Sequence, residues 1–141
     1  MHKTTISIPN EKAMLKFGGE LADQVKAGDI IYLYGELGAG KTTLVRGFLH
    51  HLNYQGKVKS PTYTLVETYF FSDFPTVHHF DLYRLKDPEE FFFLGPDNYF
   101  TPENICLIEW PEKAKNLLPK AIAKCYITII NSNERRISME R

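Results

Sequence analysis

Asp29-Ile30-Ile31-Tyr32-Leu33-Tyr34, followed at once by Gly35-Glu36-Leu37-Gly38-Ala39-Gly40-Lys41-Thr42, decides the fold. The first six residues read as a short buried strand. The next eight place Gly35 and Gly40 with four residues between them and then Lys-Thr, the spacing at which a chain curls its N–H groups inward around a phosphate. Glycines permit the curl, and a helix starting near Lys41 aims its positive end at the same anion. Lys41 would reach the β- and γ-phosphates, Thr42 would ligate the bridging Mg²⁺, and Thr43 would assist or cap the turn. The cradle comprises Gly35, Gly38, Ala39, Gly40, Lys41, Thr42 and Thr43. A chance match occurs roughly once in a couple of hundred chains of this length. The apolar pattern Leu44, Val45, Phe48, Leu49, Leu52 after the loop completes strand, loop and helix.

At 141 residues the chain is expected to form one domain, 1–141, with no room for a separate substrate domain. Seventeen basic and seventeen acidic side chains cancel, so no global field draws it to nucleic acid or an anionic membrane. No stretch approaches the roughly 20 apolar residues of a membrane span, and the start is unlike a secretory signal, so a cytoplasmic location is expected. Cys106 and Cys125 lie in separate apolar runs and read as reduced core residues.

Outward from the loop, Thr5–Ile8 alternates like a strand, and Asn10 can cap a helix carrying Met14, Phe17, Leu21 and Val25. Residues 63–71 and 76–83 are β-branched or aromatic almost throughout and flank Ser72-Asp73-Phe74-Pro75, which predicts an antiparallel hairpin. Asp87-Pro88 opens a helix that Gly95-Pro96 closes, Ile105–Ile108 is a buried strand, and Pro111 and Pro119 bracket a short helix. Residues 123–130 and 136–139 form a last pair of strands. The expected fold is an α/β, P-loop NTPase-like domain: a mixed, mostly parallel β-sheet with flanking helices and an antiparallel hairpin, its ligand outside the carboxyl ends of the parallel strands.

Turnover of a bound nucleotide needs an acid near the metal and a group that positions water. Asp81 and Glu109 each end an apolar strand, and Thr62 in Ser60-Pro61-Thr62 lies where many nucleotide hydrolases keep a segment that senses the γ-phosphate. Arg84 is a possible charge stabiliser, although such a residue more often joins a surface ion pair. His78 and His79 face opposite ways on a strand and cannot both enter one site, so packing or solvent exposure is expected for them. Trp110 could shield the site. Glu134-Arg135-Arg136 and Arg141 read as a solvated edge.

Four segments, Gly35 to Thr43, Ser60-Pro61-Thr62-Tyr63, His79-Phe80-Asp81-Leu82-Tyr83-Arg84 and Ile108-Glu109-Trp110-Pro111-Glu112, resemble the TsaE family, small P-loop ATPases of bacterial tRNA threonylcarbamoyladenosine synthesis. The resemblance implies binding of ATP and Mg²⁺, weak hydrolysis alone, and action with TsaB and TsaD, which reach tRNA as a complex. It implies Lys41 and the loop glycines on phosphates, Thr42 and Glu109 near the metal, Thr62 in a switch-like loop, and Asp81 in catalysis or metal binding. Phe91-Phe92-Phe93 departs from the family's more polar helix face, and at least partial burial of this triplet is expected. A small-molecule or nucleoside kinase and a nucleotide-gated binding module are the alternatives. No arginine-rich lid supports the kinase, and the absence of a guanine-reading Asn-Lys-x-Asp favours ATP.

Overall fold

A computed structural model describes residues 2–141. The strands are β1 (Lys3–Ile8), β2 (Ile30–Tyr34), β3 (Val66–Tyr69), β4 (Val77–Asp81), β5 (Ile105–Glu109), β6 (Ala123–Ile129) and β7 (Arg135–Glu140), with α1 (Glu11–Ala22) and α2 (Lys41–His51) between them. All seven form one sheet in the order β1-β7-β6-β2-β5-β4-β3. The β6-β2, β2-β5 and β5-β4 pairings are parallel; the outer three are antiparallel. Five strands therefore run one way and only β3 and β7 run back, which makes the sheet mixed and mostly parallel, as expected from the sequence. The β3–β4 hairpin is antiparallel, pairing Tyr69 with Val77 across the expected turn.

Both faces of the sheet are covered at its central strands, where β4 and β5 are buried throughout, which is why β2 and β5 read as unbroken apolar runs. On one face Ile31, Leu33, Val77, Ile105 and Leu107 pack under α1 and α2. On the other, Ile30, Phe80, Cys106 and Ile108 pack with Leu82, Leu85 and Phe91. Cys106 and Cys125 are free, buried thiols, each pushed up to about 12 by burial. Among the described residues no helix is long and apolar enough to cross a membrane.

Asn10 caps α1 by accepting the Ala13 N–H at 2.9 Å. Gly18 and Gly47, which only weaken helices by propensity, sit where α1 and α2 cross. A Cβ on Gly18 would collide with the Leu44 carbonyl, and one on Gly47 with the backbone of Leu15. The segment opened by Asp87 is a 3₁₀ helix, Pro88–Leu94, only seven residues long from its proline to the residue before the left-handed Gly95. Its capping box forms: Asp87 accepts from the Glu89 N–H, and Glu90 from the Asp87 N–H, both at 3.0 Å. Phe91 is fully buried, whereas Phe92 and Phe93 are 57% and 89% exposed, so burial claims only one of the triplet. The segment after Trp110 is likewise a single 3₁₀ turn, Pro111–Ala114.

The helix crossing leaves backbone, not flexible side chain, in the way of any added atom. Gly47→Ala is therefore expected to cost about 3 kcal/mol, the upper end for overpacking, read as a lower urea midpoint at unchanged slope.

Candidate functional site

Parallel pairing sets the site. Leu33 on β2 lies in register with Glu109 on β5, and Glu109 with Asp81 on β4, so both acids and the loop after Tyr34 leave the sheet at one edge. The loop then turns into α2 through Gly40, whose φ of 110° favours glycine and whose added Cβ would press on Met14 Cε at 3.0 Å. No side chain caps α2, leaving its first N–H groups for a ligand.

A cleft of about 250 Å³ opens over this edge, lined by Gly38, Ala39, Gly40, Lys41, Thr42, Thr43, Thr62, Asp81, Glu109 and Trp110. Of the residues expected at the site, only Gly35 lies off the lining; it is the hinge between β2 and the loop. The structure thus gathers loop, threonine and both acids from segments far apart in sequence.

Within the cleft the polar groups are already paired. Thr42 Oγ1 donates to Glu109 Oε2 at 3.0 Å. His79 Nε2 lies 2.5 Å from the same oxygen, and both His79 and Glu109 are buried. Lys41 Nζ folds back onto its own loop, donating to the carbonyls of Gly35 and of Glu36, the latter at 3.0 Å. Trp110 covers it, with the ammonium 4.5 Å from the ring centroid. The tryptophan reaches that place because its backbone is left-handed, at φ 58° and ψ 48°, so the chain turns sharply between Glu109 and Pro111. Tyr83 packs on its other side at 4.8 Å.

Burial pushes the Lys41 ammonium below its usual range, while the charges of Glu109, Asp81 and Glu112 partly restore it. Burial likewise pushes the Asp81 carboxyl up; the bond it accepts from the Tyr83 N–H at 3.0 Å opposes this and nearby Glu109 adds to it.

His78 and His79 do face opposite ways. His78 is a packing residue between Thr68 and Asn104, at 2.8 and 3.0 Å. Packing alone does not describe His79, which enters the site through Glu109; strand alternation places it on the face of Asp81, two residues on, and that was the available signal. Arg84 does not line the cleft: it is exposed, with its guanidinium 4.5 Å over Tyr63. Arg135 is no solvated edge. It donates to the loop carbonyls of Ala39 and Gly38, both at 3.1 Å, and to those of Asn131 at 2.7 Å and Glu134 at 3.1 Å, tying the loop to the β6–β7 turn. Nothing in a cluster of charges near the end of the chain signals such a tie.

The donor set at Thr42 and Glu109 is oxygen only. Among the described residues no cluster of three or more His, Cys, Asp or Glu side chains stands ready to enclose a metal. Such a pair fits Mg²⁺, which takes one or two protein oxygens and fills its octahedron with phosphate and water.

A phosphate loop between a central parallel strand and a helix, with acids ending the neighbouring strands, defines a P-loop nucleotide-binding protein. Residues 8–137 match the family model "Threonylcarbamoyl adenosine biosynthesis protein TsaE". The chain is 50% identical over 126 residues to the tRNA threonylcarbamoyladenosine biosynthesis protein TsaE of Haemophilus influenzae, covering 86% of this chain and 79% of that one. The protein of that name from Bacillus subtilis is 36% identical over 134 residues, covering 95% and 81%. The crystal structure of Bacillus subtilis YdiB superposes with a TM-score of 0.78 at 28% identity, covering 98% of this chain and 84% of that one. The chain belongs to the TsaE family.

Because burial raises the Asp81 carboxyl in the folded state, its native pKa exceeds the unfolded 3.8 and the native protein holds this proton to higher pH. Asp81 thus contributes stability below pH 3.8 that is lost as pH rises through the native value. Asp81→Asn, which mimics the protonated form, is expected to melt higher than wild type at pH 7 and to lose that advantage below the unfolded value; equal melting temperatures at pH 7 would contradict the strained-carboxylate account.

Proposed function

We propose that this chain is a Mg²⁺-dependent ATPase that supports TsaB and TsaD in forming N6-threonylcarbamoyladenosine in tRNA, a cytoplasmic reaction. Family membership supports the pathway, and the names of its relatives state it. The observation that carries the ATPase is the bond from Thr42 to Glu109 at the mouth of the loop, with Asp81 in register beside it.

In this reading the loop N–H groups and Lys41 bind the phosphates, with Lys41 exchanging the carbonyls of Gly35 and Glu36 for phosphate oxygens. Thr42 and Glu109 hold Mg²⁺, which, when bound, spreads the charge that develops on the β- and γ-phosphates. Thr62 senses the γ-phosphate from its loop. Asp81 orients water, and burial makes its carboxylate a better proton acceptor than an exposed one. A second cleft of about 260 Å³ shares Gly38, Ala39, Gly40 and Thr43 and continues to Asn10, Glu11 and Arg135. It is the place for the nucleoside.

Lys41 is the only basic side chain lining the phosphate cleft among the described residues. The five arginines of the chain are all elsewhere: Arg46 pairs with Glu11, Arg84 stacks on Tyr63, Arg135 holds the loop, Arg136 is exposed and Arg141 meets Gln24. An arginine supplied to the γ-phosphate in cis or by a partner accelerates such hydrolysis about 10³–10⁵-fold. Its lack here supports slow turnover alone and completion by a partner. The same poverty of convergent charge disfavours a kinase acceptor site.

Trp110 is the sole tryptophan, so its fluorescence reports directly on the cleft. Lys41→Ala is expected to weaken ATP binding about 100-fold or more, whereas Glu109→Gln binds ATP and loses about 100-fold in turnover. In reconstituted tRNA modification, omission of this protein should stop the reaction after a first round. Undiminished modification over many rounds without it, or wild-type turnover by either variant, overturns the assignment.

A further inference from the structure

His79 lies outside the loop, is absent from the lining of both clefts described above and is fully buried, yet its Nε2 meets Glu109 Oε2 at 2.5 Å. That oxygen already accepts from Thr42, and a carboxylate can only accept, so the shared proton sits on Nε2 of the ring. The other ring nitrogen, Nδ1, is buried without any partner. A proton there would be a buried donor with no acceptor, which costs about 1–3 kcal/mol, so the arrangement selects the Nε2–H form. Glu109 Oε2 therefore carries two donors, one from α2 and one from β4, while no bond is recorded at its Oε1 among the described residues.

From this geometry we infer that His79 is a positioning residue, fixing the Glu109 carboxylate beside Thr42 so that a nucleotide-bound Mg²⁺ meets oxygens already in place. The inference rests on the Mg²⁺-nucleotide reading above and extends it to a side chain that touches neither nucleotide nor metal. Without the imidazole N–H, Glu109 is held by Thr42 alone, and Thr42 must itself serve the metal. A carboxylate held by one donor is free to swing, which disrupts the ligand pair. Outer partners of metal ligands commonly change metal affinity or activity about 10–100-fold when removed.

The test compares full-length wild type with His79→Gln and His79→Asn. A glutamine amide nitrogen falls near the position of Nε2 and can replace the donor; the shorter asparagine reaches only the place of Nδ1. ATP is titrated by Trp110 fluorescence in EDTA and then against Mg²⁺, and the ring proton is read by ¹H–¹⁵N NMR of the free wild type. Expected are equal ATP affinities in EDTA, a Mg²⁺ midpoint raised about 10–100-fold in His79→Asn, a midpoint for His79→Gln close to wild type, and a ring protonated on Nε2. Unchanged Mg²⁺ midpoints in both variants, equal impairment of both, or a wild-type ring protonated on Nδ1 overturns the proposal. If His79→Asn does not fold, the His79→Gln midpoint and the ring spectrum decide. A wild type whose ATP binding ignores Mg²⁺ overturns the functional reading as well, and so distinguishes that failure from this one.

Discussion

The parallel ladder of β2, β5 and β4 is the constraint on which everything else rests. Because Leu33, Glu109 and Asp81 share one register, a chain that folds its hydrophobic center at all must deliver the loop and both carboxylates to the same edge. A slip of one residue in β5 would turn Glu109 to the opposite face. Ile108 and Leu107, each fully buried in different cores, would then exchange faces too, so packing on both sides of the sheet guards the position of the acid. The geometry of the cleft and the stability of the core are fixed by the same pairing.

Around that edge the molecule stores polar groups in pairs that a ligand can replace. Lys41 is satisfied by loop carbonyls and by the face of Trp110, Thr42 by Glu109, and Glu109 by His79. Nothing charged is left bare in the cleft, but Lys41 and Asp81 are both held where burial disfavours their charged forms. A triphosphate and its metal offer both signs of charge at once. Under the proposed function, the destabilisation of these groups in the free protein would be converted into affinity for such a ligand, as is common where function and stability compete.

Most of this was legible in the sequence wherever one local pattern determined the answer. The strand–loop–helix signature placed α2 and its cradle, and the apolar runs ending in Asp81 and Glu109 announced their strands because strands buried on both faces have no alternation to obscure them. Helical length failed where competing packing won: Pro88–Leu94 and Pro111–Ala114 wind as 3₁₀ turns too short to sustain an α-helix. Propensity sees one helix at a time and counts Gly18 and Gly47 as weak points, whereas their place lies in the crossing of two helices. Arg135 was hidden for the same reason: it acts through loop carbonyls 96 and 97 residues away, and no local spacing encodes such a meeting. For His79 only strand alternation with Asp81 hinted at the site, since its partner Glu109 is 30 residues on.

Arg135 shows what those distant ties add. Its guanidinium spends its donors on carbonyls of the loop at Gly38 and Ala39 and of the β6–β7 turn at Asn131 and Glu134. In a trans peptide the N–H points opposite to the C=O, so holding the Ala39 carbonyl turns the Gly40 N–H the other way, while the Ala39 N–H donates to the Glu36 carbonyl at 3.0 Å and closes the turn. The Arg135 charge is thus committed to the loop and turn carbonyls and lies outside the lining of the phosphate cleft. Under the proposed function, a cleft whose one basic lining residue among the described residues is Lys41 would bind the phosphates and leave the second cation that speeds cleavage to a partner.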